Sequence, residues 1–181
     1  MEHAILTILS PGFEEVEAVT AIDILRRARL HVTTAALDAI DVEGSHGIAI
    51  RAEHRLADID TTQFDMLVLP GGMRGVENML ASSRLMELAA NMASRGCRMA
   101  AVCAAPLIYD TLSLLDGRRF TCHPCIYDRL KSTGVENVPT VTDGLFTTGR
   151  SAGCAMPWAI EMVRATLGSV PESLLSGLCQ P

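Results

Sequence analysis

Short, wholly apolar runs alternate with longer amphipathic stretches along this chain, and that alternation limits the fold more than any other feature. Ala4–Leu9 reads AILTIL, Met66–Leu69 reads MLVL and Arg98–Val102 reads RMAAV. Runs this short do not make stable helices, and their lack of polar alternation marks strands covered on both faces. His31–Ala36 (HVTTAA) reads as a further strand. Between them lie helical patterns. Glu14 to Ala28 carries Val16, Val19, Ile22 and Leu25 at near-helical spacing, with Glu14, Glu15 and Glu17 in its first turns. Ser83–Arg95 is helical and Gly96 fits its C′ position. Ala104–Leu115 and a stretch from about Cys154 to Leu167 complete the helices. Residues 38–60, with Gly44, Gly47 and alternating Ile48 and Ile50, suggest a small hairpin or edge excursion. Short strands are expected near 119–122 and 138–148, and Pro171–Pro181 is a terminal tail with room for a last helix. Strand and helix alternate throughout, so the class is α/β with a mainly parallel sheet and helices on both faces.

Composition narrows the function. The chain has 181 residues, 49% hydrophobic and 20% charged, which fits one globular domain over 1–181. A net charge of -6 and a pI near 5.3 provide no basic face for nucleic acid. No apolar run reaches the ~20 residues of a membrane span. Met1-Glu2-His3 leads straight into the first strand without a basic leader, so a cytoplasmic protein is expected. Six cysteines, at 97, 103, 122, 125, 154 and 179, are then expected as free thiols.

Cys103 has the most suggestive place. It falls where a buried strand turns into a helix, between small residues in Met99-Ala-Ala-Val-Cys-Ala-Ala-Pro106. Ligands of open parallel sheets bind at such carboxyl ends. A tight strand-to-helix turn needs small neighbours, which Ala104 and Ala105 supply, although Gly-x-Ser-x-Gly itself is absent. A helix start also favours thiolate over thiol, so Cys103 is expected to be the most readily oxidised of the six, stopping at sulfinate. The bland alternative is a small buried hydrophobe. Two other strand ends add to the picture: Pro70-Gly71-Gly72 offers bare backbone N–H groups, and Pro11–Glu17 offers acids at a helix start. One or two of those acids fit simple dipole complementarity, and a third carboxyl facing the sheet end would sit beside Cys103. Cys122-His-Pro-Cys125 lacks the second ligand pair that zinc requires and the context of a thioredoxin motif. His3, His31, His46 and His54 have no partner pattern and read as solvated or core residues.

Five segments together resemble the ThiJ/PfpI superfamily, in its DJ-one-like branch. They are Pro11-Gly-Phe-Glu-Glu-Val-Glu17, Leu69-Pro-Gly-Gly72, Ala101-Val-Cys-Ala-Ala-Pro106, Thr121-Cys-His-Pro124 and Asp143-Gly144 with Thr148-Gly-Arg150. The resemblance spans about residues 4 to 168 and implies a flavodoxin-like three-layer α/β sandwich that forms homodimers, with the helix Val16–Arg27 as a plausible contact. It implies Cys103 as nucleophile, Glu17 as its carboxyl partner, Gly72 and Ala104 as oxyanion-binding N–H groups, and His123 as a pocket histidine. The implied function is a glyoxalase that converts methylglyoxal to lactate without glutathione, a protein deglycase, or both. The partners are then small aldehydes or glycated proteins, with no cofactor, metal, membrane or nucleic acid. The alternative is an oxidative-stress sensor or redox-regulated chaperone without turnover. The sequence departs from the protease branch, where the nucleophile is followed by His and not Ala104. It also departs at Ser151-Ala-Gly-Cys154, where the family commonly has Gly-Pro-Gly-Thr.

Overall fold

A computed structural model describes residues 3–179. Seven strands form one sheet: β1 (Ala4–Leu9), β2 (His31–Ala36), β5 (His54–Arg55), β6 (Met66–Leu69), β7 (Arg98–Val102), β8 (Thr140–Asp143) and β9 (Phe146–Gly149). Their spatial order is β5-β2-β1-β6-β7-β9-β8. Every pairing is parallel except β8 with β9, which turn back on each other at Gly144. A separate hairpin joins β3 (Asp41–Glu43) to β4 (Ala49–Arg51). The helices are α1 (Glu15–Arg27), α2 (Met73–Ala81), α3 (Ser83–Ser94), α4 (Pro106–Thr111), α5 (Ala155–Leu167) and α6 (Glu172–Gly177).

The apolar strand runs are explained by the layers. Along β6, Leu67 and Leu69 point into a core shared with α2, α3 and α4, where Val76, Met79, Leu88, Met92 and Ile108 meet them. Met66 and Val68 point the other way, onto Ile24 and Leu25 of α1 and Trp158 and Met162 of α5. Both faces are covered, so no polar alternation is allowed. This is the flavodoxin-like α/β architecture, and four of its parallel strands, β1, β2, β6 and β7, carry the bounds expected from sequence. Among the described residues no helix is long and apolar enough to cross a membrane.

Three expectations need correction. The strand expected near 119–122 is only an isolated bridge of Phe120 with Val135. The helix expected over Ala104–Leu115 is only Pro106–Thr111, because Leu112 caps it and Ser113 turns to φ 57. Conversely, α2 was not anticipated. It holds a glycine, Gly75, whose propensity is poor. A Cβ at Gly75 would meet the Phe13 backbone nitrogen at 2.9 Å, so close packing of α2 on the β1–α1 loop demands the glycine.

The chain winds outward from β1 in both directions. β2 and β5 lie on one side, and β6, β7, β9 and β8 on the other. The switch point between β1 and β6 opens a crevice at the carboxyl ends of the strands, the position where such sheets bind ligands.

Candidate active site

Three carboxylates leave the end of β1 and take three different jobs. Glu14 caps α1: its Oε2 accepts the Glu17 N–H at 2.8 Å. Its own N–H donates to the Gly71 carbonyl at 3.0 Å. Glu15, only 5% exposed, turns toward the β3–β4 hairpin. Its Oε1 accepts the His46 N–H at 2.6 Å, and its Oε2 lies 2.9 Å from His46 Nδ1 and accepts the Ser45 hydroxyl at 3.2 Å. Burial works against the ionised form, but those bonds, led by His46, hold the Glu15 carboxyl down at about 2. Glu17 is fully buried and points to the sheet end. Its Oε2 accepts the Gly71 N–H at 2.8 Å, and its Oε1 has no conventional hydrogen-bond partner. Burial pushes Glu17 up to about 7; the Gly71 N–H opposes that, the Glu14 charge adds to it, and the Cys103 thiol opposes it.

Cys103 follows β7 directly. Its φ of 61° is rare for a residue with a Cβ and costs ~1–3 kcal/mol, which the surroundings must impose. They do so through its main chain. The Cys103 N–H donates to the Gly149 carbonyl at 2.9 Å, and its carbonyl accepts the His123 N–H at 2.8 Å. The side chain is half-buried against Gly71, where an added Cβ would fall 2.6 Å from both Cys103 Cβ and Glu17 Oε2. Glycine is therefore required there for the thiol and the carboxyl to meet. The Gly72 and Ala104 N–H groups both reach the sulfur and favour its anion.

The thiol nevertheless moves opposite to the sequence expectation. Burial raises it, the Glu17 carboxylate raises it further, and the two N–H groups only partly compensate. The helix dipole cannot reverse this, because α4 begins three residues later and has only six residues. Cys103 and Glu17 thus titrate as one pair, which holds its last proton tightly and gives up its first near neutrality.

The other candidates fall into place around this pair. His123 is tied to the site by its backbone, and its Nδ1 accepts the Cys125 N–H at 3.1 Å. That bond leaves Nε2–H as the ring's free donor. Cys122 is fully buried and Cys125 exposed; burial first, and Cys125 second, push the Cys122 thiol up to about 12. Ser151-Ala-Gly-Cys154 forms a short 3-10 turn that leads into α5. His46 is solvated, its side chain 70% exposed, but it has a partner the sequence did not reveal: it pairs with Glu15 across 31 positions. Among the described residues, Glu14, Glu15 and His46 also place one ligand-type atom each within 4.8 Å of one another. Both Glu15 oxygens already accept hydrogen bonds from the turn, so the trio is a built ion pair and nothing in it points to a metal.

Two contributors escaped the sequence reading. Gly71, which holds the Glu17 carboxyl, was hidden behind its neighbour Gly72, since either glycine suits a bare-backbone turn. The Glu15–His46 contact left no local signal at all, being a contact between distant segments.

A family model described as the DJ-1/PfpI family matches residues 3–165. The chain belongs to the DJ-1/PfpI family. Protein dj-1beta of Drosophila melanogaster is 34% identical over 93% of this chain and 91% of its own length. The crystal structure of that Drosophila protein superposes with a TM-score of 0.92 at 32% identity, covering all of both chains. Protein DJ-1 homolog A of Arabidopsis thaliana is 32% identical, and the match covers 91% of this chain but only 42% of that longer protein. A protein named deglycase from Pyrococcus abyssi is 30% identical over 88% of this chain and 97% of its own length. Within the DJ-1/PfpI family, then, this chain has relatives that include a named deglycase, and a fold shared over its whole described length.

Proposed function

We propose that this protein is a cysteine-dependent enzyme acting on small reactive carbonyls, converting methylglyoxal to lactate without glutathione. The observation that carries the reading is the buried Glu17 carboxyl, pushed to about 7, set against Cys103 beneath the Gly72 and Ala104 N–H groups. A base is most effective when its proton affinity lies near the working pH. A thiol that resists ionisation needs such a base in contact with it, and Glu17 is placed for that role.

The steps balance as follows. Glu17 accepts the Cys103 proton as sulfur adds to the aldehyde carbon, and the new alkoxide is held by the two N–H groups. Its return as a proton gives the neutral hemithioacetal. Glu17 then takes the hydrogen of that same carbon as a proton and the adjacent ketone carbon receives it, leaving a thioester of lactate. Water cleaves the thioester, which releases lactate and restores the thiol. His123 Nε2–H is the donor available to the ketone oxygen. The same addition to an early glycation adduct gives a deglycase, the activity named for the Pyrococcus abyssi relative.

The test is lactate formation from methylglyoxal by wild type, Cys103→Ala and Glu17→Gln. Turnover by wild type alone supports the reading. If wild type makes no lactate while peroxide converts Cys103 to sulfinate, the sensor function replaces it. The protein acts as a homodimer in this reading. The exposed apolar side chains Val16 and Val19 of α1 and Ile48 of the hairpin turn, at 53%, 48% and 58% exposure, supply the contact. A monomeric mass by light scattering at micromolar concentration contradicts that part.

A further inference from the structure

His46 lies outside the reacting groups, yet an unbroken series of contacts joins it to them. Its ring and backbone both bind Glu15. Its Nδ1 also lies 3.9 Å from Glu14 Oε1. The other Glu14 oxygen caps Glu17 through its N–H, and the Glu14 N–H holds the Gly71 carbonyl. Gly71 in turn donates to the Glu17 carboxyl. The hairpin carrying His46 is docked on the same loop by its backbone: Gly12 N–H donates to Glu43 O and Ser45 N–H to Phe13 O, both at 2.8 Å. Gly44 packs so closely on Glu15 that a Cβ there would run into its carboxylate.

We propose that His46 is a positioning residue for the Cys103–Glu17 pair: protonated, it clamps the hairpin turn onto Glu15, screens Glu14, and so sets the pH at which the pair releases its first proton. The inference deepens the proposed function in that it takes Cys103 and Glu17 as the reacting pair. The groups facing the histidine are Glu14 and Glu15 of α1 and Ser45 of its own turn. Those facing Glu17 are Glu14, the Gly71 N–H from the β6–α2 loop and Cys103 from the β7–α4 loop. Arg74 of α2 lies beside Gly12, and the remaining charges at the base of the hairpin, Asp41 and Arg51, bind each other at 3.0 Å. Of these, the ionised Glu14 raises Glu17, and His46 itself is raised by Glu15 first and Glu14 last. A cation beside Glu14 therefore lowers the pH at which Glu17 ionises. Its loss as pH rises strengthens the hold of Glu17 on its proton.

The experiment reads the thiol and not turnover. Cys103 alkylation by iodoacetamide is followed by peptide mass spectrometry across a pH series, which needs no substrate. In wild type the rate rises as the pair loses its first proton. His46→Ala is expected to move that rise to higher pH and to slow alkylation about twofold at the wild-type midpoint, the equivalent of roughly half a pH unit. His46→Asn keeps a donor toward Glu15 but no charge, and its rise is expected to shift in the same direction. His46→Arg restores a cation and returns the rise to the wild-type midpoint. His31→Ala, at an exposed strand residue far from the hairpin, leaves it unchanged. A His46→Ala profile that superimposes on wild type overturns the inference, and so does failure of His46→Arg to restore the midpoint. If His46→Ala does not fold, His46→Asn decides alone: a raised midpoint supports the role and a wild-type midpoint overturns it. Glu17→Gln separates this inference from the reading beneath it. Persistence of the inflection in that variant removes the pair itself, whereas absence of lactate with the His46 shift intact removes only the substrate.

Discussion

Glu15 and Glu17 stand two positions apart in the first turn of α1, and the fold drives them in opposite directions. Glu15 is buried among donors and is held down at about 2; Glu17 is buried with one N–H and a thiol and rises to about 7. Burial acts upward on both. What separates them is the number of donors that arrive with it. The hairpin turn brings the Ser45 hydroxyl and the His46 ring and backbone to Glu15. The sheet end brings Glu17 only Gly71, because the space a further donor would fill is taken by Cys103. One carboxylate is therefore a structural anchor, present as an anion at every physiological pH. The other is a group that changes charge near neutrality, beside the Cys103 thiol.

The strongest way to break the contrast is to remove the changeable charge. Glu17→Gln keeps an acceptor for the Gly71 N–H but cannot carry a proton, and lactate formation is expected to fall about 10³-fold. Steady-state assays check this, and undiminished turnover ends the role assigned to Glu17. Separating the pair comes next. Gly71→Ala inserts a Cβ 2.6 Å from both Cys103 Cβ and Glu17 Oε2, and a loss of about 10²-fold in Cys103 alkylation and turnover is expected with the sheet intact by circular dichroism.

The third effect is on stability, with a sign that tells the two carboxylates apart. Glu17 is raised from its unfolded value of 4.5 to about 7, so the folded state holds a proton that the unfolded state has lost between those values. Stability falls as pH rises through that window, and above it the ionised Glu17 costs about 3 kcal/mol. Glu17→Gln is thus expected to melt higher than wild type above neutrality and to match it near pH 4. Glu15 behaves in reverse. Its folded value lies below 4.5, so its contribution is complete above that pH and fades as pH falls toward about 2. Glu15→Gln is expected to lose about 1–2 kcal/mol at neutrality and progressively less in acid. Thermal melts of both variants over a pH series check the pair of predictions. Parallel curves for the two variants would show that they share one environment. The smallest effect is the pH shift from His46, described above.

This contrast also marks where the sequence stops being informative. Strands β1, β2, β6 and β7 were legible to the residue because a run covered on both faces leaves no room for polar positions. The place of Cys103 at a strand end, near the Gly71-Gly72 turn and one of three acids, was legible because parallel sheets collect their loops at one end; which acid and which N–H groups were named only through the family resemblance. Which acid faces which partner was not legible. Glu14, Glu15 and Glu17 look alike in sequence, and their fates depend on a turn 31 residues away from Glu15. The direction of the Cys103 shift was misjudged because a helix start suggests a favourable dipole, while the chain spends three residues turning before α4 begins. Helix α2 was hidden by Gly75, which local propensity counts against a helix and which the packing of Phe13 requires.

Trp158 gives this architecture a readout of its own. It is the single tryptophan of the chain, fully buried, with its indole N–H donating to the Thr147 carbonyl at 3.1 Å. Its ring lies against Gly149, where a Cβ would come within 2.7 Å, and the Gly149 carbonyl is the group that holds the Cys103 N–H. The indole is thus one peptide unit away from the bond that keeps Cys103 in its strained conformation. Chemistry at the sulfur that pulls Cys103 off Gly149 is therefore expected to change the emission without any added dye, so that a titration of the thiol becomes a titration of light.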